Sequence, residues 1–150
     1  MKAVVQRVKK ACLSVDGELI SSIETGLVCY LGVGKGDNEK DLAWLARKVA
    51  GLRIFPDADS KMNLSLLDCS YEALVVSQFT LYGNVKKGFR PSFIDAEDPE
   101  RARILYEDFC SELVKAGVSK VAKGVFAADM LIEQENSGPV TIIIDSRQTL

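Results

Sequence analysis

Ser77, Gln78, Phe79 and Thr80 place two hydroxyls and an amide inside an apolar run that begins Leu74-Val75-Val76 and ends Leu81-Tyr82. In an extended strand Gln78 and Thr80 share one face and Ser77 and Phe79 the other. Burying such groups unpaired is costly, so each needs a partner, either neighbouring backbone or a ligand. The chemistry open to them is bounded by what the chain lacks. There is no histidine, which removes Ser-His-Asp and Cys-His catalysis and argues against a catalytic zinc or iron site. Thr80 is a poor nucleophile without a base beside it. Backbone amides around Phe79 and Thr80, offered to a developing oxyanion, are the better-founded contribution. Cys12, Cys29, Cys69 and Cys110 show no C-x-x-C spacing and read as small buried side chains rather than disulfides or zinc ligands. Asp129 and Glu133 lack the paired-carboxylate spacing of acid–base work. No metal and no cofactor is expected.

The elements that must position this run follow from periodicity. Residues 2–8 alternate loosely and predict a strand; Val15-Asp16-Gly17-Glu18-Leu19 predicts a hairpin with Asp-Gly at its turn. A second strand pair runs from Ile20 and Ile23 through Gly26 to the apolar stretch Leu27 to Val33. Gly32-Val33-Gly34-Lys35-Gly36-Asp37 invites a dinucleotide-loop reading, but the third glycine of G-x-G-x-x-G would fall on Asp37, and a flexible turn fits better. Asp37 or Asn38 can cap a helix over residues 39–50, with Leu42, Leu45, Ala46 and Val49 on one face and Gly51 as its stop. Leu52-Arg53-Ile54-Phe55 reads as a short strand broken by Pro56, and residues 72–82 as the central strand, covered on both faces.

A long loop from Gly83 to Phe93 carries Lys86, Lys87 and Arg90. Asp98-Pro99 opens a second helix whose stripe is Ala102, Leu105, Tyr106, Phe109, Leu113 and Ala116, ended by Gly117. Residues 118–125, 130–135 and 140–145 are three further strands. The chain thus reads as one α+β domain over residues 1–150, mostly antiparallel sheet with two main helices.

Composition is that of an ordinary globular chain, 47% hydrophobic and 27% charged. No apolar run approaches the roughly 20 residues of a membrane span, and the start shows no signal-peptide core. A cytoplasmic protein with no membrane partner is expected. The net charge of −2 excludes a protein that grips long stretches of nucleic acid through a basic surplus, so any RNA contact is small or locally basic.

Ser77-Gln78-Phe79-Thr80-Leu81 and Asn136-Ser137-Gly138-Pro139-Val140-Thr141 occur together with Gln6-Arg7-Val8, Leu52-Arg53-Ile54-Phe55 and Lys61-Met62-Asn63-Leu64. Gly88, Arg90-Pro91-Ser92-Phe93 and Phe126-Ala127-Ala128-Asp129-Met130 complete the set. In these blocks, spread over nearly its whole length, the chain resembles the D-aminoacyl-tRNA deacylase family. The resemblance implies a barrel-like pair of sheets flanked by helices, a homodimer, and hydrolysis of a D-amino acid ester on the 3′ end of tRNA. It places Ser77, Gln78, Phe79 and Thr80 in the catalytic site, Phe126 and Met130 around the terminal adenosine, and Arg7 as the holder of the Gly-Pro segment. Gly138-Pro139 would form a cis pair that enters the partner's site, where its backbone oxygens crowd the space of an L side chain. Exclusion by clash then sets the specificity, and glycine, having no side chain, would also fit. The neighbouring ribose 2′-hydroxyl could activate water, a route that suits a chain without histidine, although a threonine nucleophile has also been described for the family.

Ser137 stands where the family commonly has an acid, Ser60 precedes Lys61 where glycine is frequent, Lys123 replaces a frequent threonine, and Gln134-Glu135 is less apolar than usual. These departures bear on loop geometry and tRNA preference. Two alternatives remain: a non-catalytic RNA- or nucleotide-binding β-module, and a related deacylase that clears small L-amino acids from tRNA, expected to carry a different residue in place of Phe79.

Overall fold

In a computed structural model, described over residues 1–148, two helices pack on a strongly curved six-stranded sheet. Strands β1 (Lys2–Val15), β2 (Glu18–Ile23) and β3 (Gly26–Gly32) are followed by α1 (Glu39–Ala50). The small ribbon β4 (Phe55–Pro56) and β5 (Met62–Leu64) and a helical turn, α2 (Leu66–Cys69), lead into β6 (Glu72–Ser77). The long helix α3 (Pro99–Lys115), β7 (Lys120–Lys123) and β8 (Leu131–Asp145) complete the described chain.

Asp16 and Gly17 both take positive φ, 51° and 80°, as a two-residue hairpin turn requires, and Val15 pairs with Glu18 across it. β1 carries β2 and β3 along one edge and β8 along the other, all antiparallel. The sheet is nevertheless mixed, because β6 is parallel to both β3 and β7. The connections β3–α1–β6 and β6–α3–β7 are helical crossovers, which is how parallel neighbours are joined. A hydrogen bond from Ser21 Oγ to the Lys123 carbonyl (2.9 Å) ties β2 to β7 and brings the sheet close to a closed barrel.

β6 alternates as a strand buried on both faces must: Ala73 and Val75 pack toward the helices, Leu74 and Val76 into the barrel. β1 changes its alternation midway. Ala3 and Val5 face the helices, whereas Val8, Ala11 and Leu13 fill the barrel. A bulge at Lys9 allows this, since Val8 pairs with Asn136 and Lys10 with Glu135.

Several sequence expectations change. The central strand stops at Ser77, and Phe79–Tyr82 is a 3-10 turn, so Gln78 and Thr80 do not share a strand face. Residues 130–145 form one long strand from Leu131, not two. Pro56 lies inside the β4–β5 ladder, and residues 52–54 are not strand. Asn38 is the cap of α1, its side chain accepting from the Lys40 amide while Asp41 accepts from the Asn38 amide. Asp37 is occupied elsewhere. No helix of the described residues is long and apolar enough to cross a membrane.

Candidate active site

β6 ends at Ser77 because the next residue turns away while its amide stays on the sheet: Gln78 N–H donates to the Leu31 carbonyl (2.7 Å). The chain then folds into the 3-10 turn, with Leu81 N–H donating to the Gln78 carbonyl (3.3 Å) and Gly83 N–H to that of Thr80 (2.9 Å). The amides of Phe79 and Thr80, at the start of the turn, make no backbone hydrogen bond among the described residues. The turn is clamped from below by Tyr82. Its ring lies where a Cβ on Gly34 would collide at 2.4 Å, and its hydroxyl donates to Asp37 Oδ2 (3.1 Å).

Above the turn opens a cavity of about 650 Å³ lined by Ser77, Gln78 and Phe79 on one side and Phe126 and Met130 on another. Phe93, Tyr106 and Ile132 contribute further apolar wall, and Lys35, Glu97 and Asp98 a polar edge. The Ser77 hydroxyl, half-buried, has no hydrogen-bond partner among the described residues. Phe79 is 58% exposed and meets Phe93 edge-on with ring centroids 5.1 Å apart. Phe126 leans on Tyr106 (5.9 Å), whose buried hydroxyl donates to the Val75 carbonyl (2.9 Å). Met130 reaches the cavity past Gly124, where a Cβ would stand 2.6 Å from its sulfur. Thr80 does not line the cavity; it is exposed, and its Oγ1 accepts a short hydrogen bond from Gln78 Nε2.

Arg7, Gly138 and Pro139 form a separate cluster outside the cavity. Between the pairs Gln6–Thr141 and Val8–Asn136, residues 137–140 of β8 stand opposite Arg7 alone. That wide bulge holds the cis Gly138-Pro139 bond, with both residues exposed. Arg7 anchors it through Nε to the Ser137 carbonyl (2.9 Å) and Nη1 to the Ile54 carbonyl (2.5 Å). The flanks are pinned by Gln6 Nε2 donating to Thr141 Oγ1 (3.2 Å) and Gln134 Nε2 donating to Asn136 Oδ1 (2.6 Å).

Sequence reasoning missed Asp37, which is fully buried. Its carboxylate lies 2.8 Å from the Met1 ammonium and 2.9 Å from Arg147 Nη2, and accepts from the Gly34 amide (2.6 Å). Burial pushes this carboxyl up, but the amino terminus, the Gly34 amide and Arg147 outweigh it and hold the group below the usual carboxylate range. Burial, with the Asp37 charge next, raises the Tyr82 phenol, which stays a neutral donor. Among the described residues no three His, Cys, Asp or Glu side chains are grouped to hold a metal ion.

A family profile described as D-Tyr-tRNA(Tyr) deacylase matches residues 4–145. The chain is 55% identical over 146 residues to the D-aminoacyl-tRNA deacylase of Myxococcus xanthus (strain DK1622), covering 97% of this chain and 95% of that one. It is 55% identical over 148 residues to that of Aquifex aeolicus (strain VF5), covering 99% of both. Among solved structures, the c-Myc DNA Unwinding Element Binding Protein matches with a TM-score of 0.92 at 41% identity, over 97% of this chain and 98% of that one. A probable eukaryotic D-amino acid tRNA deacylase, 20% identical, shares the fold with a TM-score of 0.81 over 95% and 97% of the two chains. The mixed, nearly closed barrel is the fold shared with these solved structures. The chain belongs to the D-Tyr-tRNA(Tyr) deacylase family.

Proposed function

We propose that the protein hydrolyses the ester between a D-amino acid and the 3′-terminal adenosine of tRNA, a chiral proofreading step in translation. The observation that carries this reading, beside family membership, is the cavity that joins Ser77, Gln78 and Phe79 to Phe126 and Met130. An aromatic ring and a thioether suit the packing of a nucleobase. With the adenine between them, the aminoacyl ester extends toward Ser77 and the unpaired amides of Phe79 and Thr80. These donors stabilise the oxyanion as water adds to the ester carbonyl. The C–O3′ bond then breaks, the proton passes to O3′, and free amino acid and tRNA leave. The ribose 2′-hydroxyl orients the water. Thr80, exposed and with its hydroxyl bonded among the described residues only to Gln78, serves as scaffold rather than nucleophile.

Chirality is set by a second copy of the chain. Gly138-Pro139 is exposed and points to no cavity of its own. The outer edge of β8 is unpaired among the described residues, and Leu131 and Ile143 on that strand are 64% and 75% exposed. A long open edge with apolar side chains supports pairing with another chain. In a homodimer the bulge of one subunit would close the cavity of the other and exclude L side chains by contact. The reading treats the whole chain as a single deacylase domain. A second reading, nucleic-acid binding without chemistry, is favoured by the name of the 41%-identical solved structure; the net charge of −2 weighs against it.

Incubation with D-tyrosyl-tRNA tests the proposal. Free D-tyrosine should appear at a rate that EDTA leaves unchanged, and an ester that persists in the presence of folded protein would remove the enzymatic reading.

A further inference from the structure

The loop between the 3-10 turn and α3 is built to stay in solvent. Asn84 and Ser92 exchange backbone hydrogen bonds of 2.8 and 2.9 Å, closing residues 84–92 into a tongue. The Asn84 side chain accepts from the Lys86 amide (2.9 Å), and Gly88, at φ 139°, donates to the Val85 carbonyl (3.4 Å). Only glycine takes that φ without strain. At the tip, Phe89 is 105% exposed. A phenyl ring held wholly in water, on a loop tied at both ends, has no role in this chain's own core. Lys86, Lys87 and Arg90 surround it, and no acidic residue lies between Gly83 and Ile94.

The cations of the tongue are close together in the chain, with no acidic neighbour inside the segment. Elsewhere Lys2, Lys10, Lys115, Lys120 and Lys123 are each paired with a carboxylate. Among the described residues Lys86, Lys87 and Arg90 make no ion pair, so a chain of net charge −2 keeps three unneutralised cations in one short segment. The base of the tongue is the rim of the site. Phe93, the residue after its closing bridge, lines the cavity and touches Phe79. An RNA whose last nucleotide occupies the cavity must leave it over a rim.

We propose that the tongue docks the RNA strand leading to the terminal adenosine, with Lys86, Lys87 and Arg90 on its phosphates and Phe89 stacked on an unpaired base. This rests on the deacylase reading and adds the place where the polynucleotide is held. Cations beside an exposed ring form the usual platform for single-stranded nucleic acid.

The test is binding of an uncharged RNA hairpin with a single-stranded 3′ CCA end, titrated over a range of salt. Phe89→Ala should weaken binding about tenfold or more. The combined Lys86→Gln, Lys87→Gln and Arg90→Gln variant should lower the slope of log Kd against log salt by about 2. Removing the same charge from α1, as Lys40→Gln, Arg47→Gln and Lys48→Gln, should leave the slope near the wild-type value. Wild-type affinity and slope in the tongue variants would overturn the proposal, as would a change in oligomeric mass without a change in RNA affinity. Hydrolysis of D-tyrosyl-tRNA by the wild-type protein is scored separately. RNA bound through the tongue by a protein that hydrolyses nothing would retain the docking surface and reject the deacylase reading.

Discussion

Tyr82 donates its hydroxyl to the Asp37 carboxylate across 3.1 Å, and this contact couples the turn beneath the cavity to a fully buried charge cluster. Asp37 receives the Met1 ammonium, Arg147 and the Gly34 amide at the same time. Loss of its charge would leave two cations facing a neutral group. Asp37→Asn should therefore cost about 3 kcal/mol of stability and should loosen the turn that carries Phe79 and Thr80. The pH dependence has a definite sign. The native carboxyl is held below its ordinary value, so its contribution is complete above about pH 4, where the unfolded carboxylate is also ionised. That contribution is lost as pH falls through the native value. Thermal unfolding of both proteins checks this: the gap between wild type and Asp37→Asn should be full at neutral pH and shrink in acid.

Thr80→Ala removes a hydroxyl whose only side-chain partner among the described residues is Gln78. With no base near it, hydrolysis should stay within about tenfold of wild type, roughly 1.4 kcal/mol in barrier. Single-turnover release of D-tyrosine measures it. Abolished turnover in a protein with an unchanged circular dichroism spectrum would make Thr80 the nucleophile.

Arg7→Lys tests the anchor of the bulge. A guanidinium reaches the Ser137 and Ile54 carbonyls from two nitrogens, and an ammonium on a flexible stem does not reproduce that fork. The expected result is about a tenfold fall in kcat/KM on the D ester, a smaller ratio between D and L esters, and little change in unfolding temperature. Unchanged discrimination would separate Arg7 from the specificity device.

Gly138→Ala places a Cβ 2.3 Å from the Val140 amide nitrogen, so the bulge must shift. Gly138 sits at φ 157°, where an L side chain is strained, and the stability cost should be about 1–3 kcal/mol. Activity should drop more than tenfold. Mixing this variant with a Phe79→Ala variant should restore part of the activity, since in mixed dimers one cavity is intact and receives an intact bulge.

Local order in the chain announced much of this architecture. The Asp16-Gly17 hairpin, both main helices, the Asn38 and Gly51 ends of α1 and the twofold burial of Leu74 to Val76 all rest on neighbours a few residues apart. What sequence reading missed depends on distant partners. Asp37 resembled a helix cap because its ligands, Met1 and Arg147, are far away in the chain. Gln78 and Thr80 continue an apolar run, yet the chain leaves the sheet after the Gln78 amide and folds into a 3-10 turn held by Tyr82 on Asp37. Gly138-Pro139 by itself reads as a turn leading into the last strand, whereas β1 spans both sides of the bulge through Gln6 and Val8. The parallel pairing of β6 with β3 and β7 follows the strand–helix–strand order, a feature that the reading of a mostly antiparallel sheet did not name. Of the candidate residues, Ser77, Gln78, Phe79, Phe126 and Met130 line one cavity, while Thr80, Arg7, Gly138 and Pro139 lie outside it.

The central claim is most directly tested by the ratio of kcat/KM for D-tyrosyl-tRNA to that for L-tyrosyl-tRNA, measured on the wild-type protein at one enzyme concentration and one salt. Release of D-tyrosine with the L ester left intact, together with a ratio that falls in Gly138→Ala, is the predicted result. Equal release from both esters, or release from neither, would contradict it.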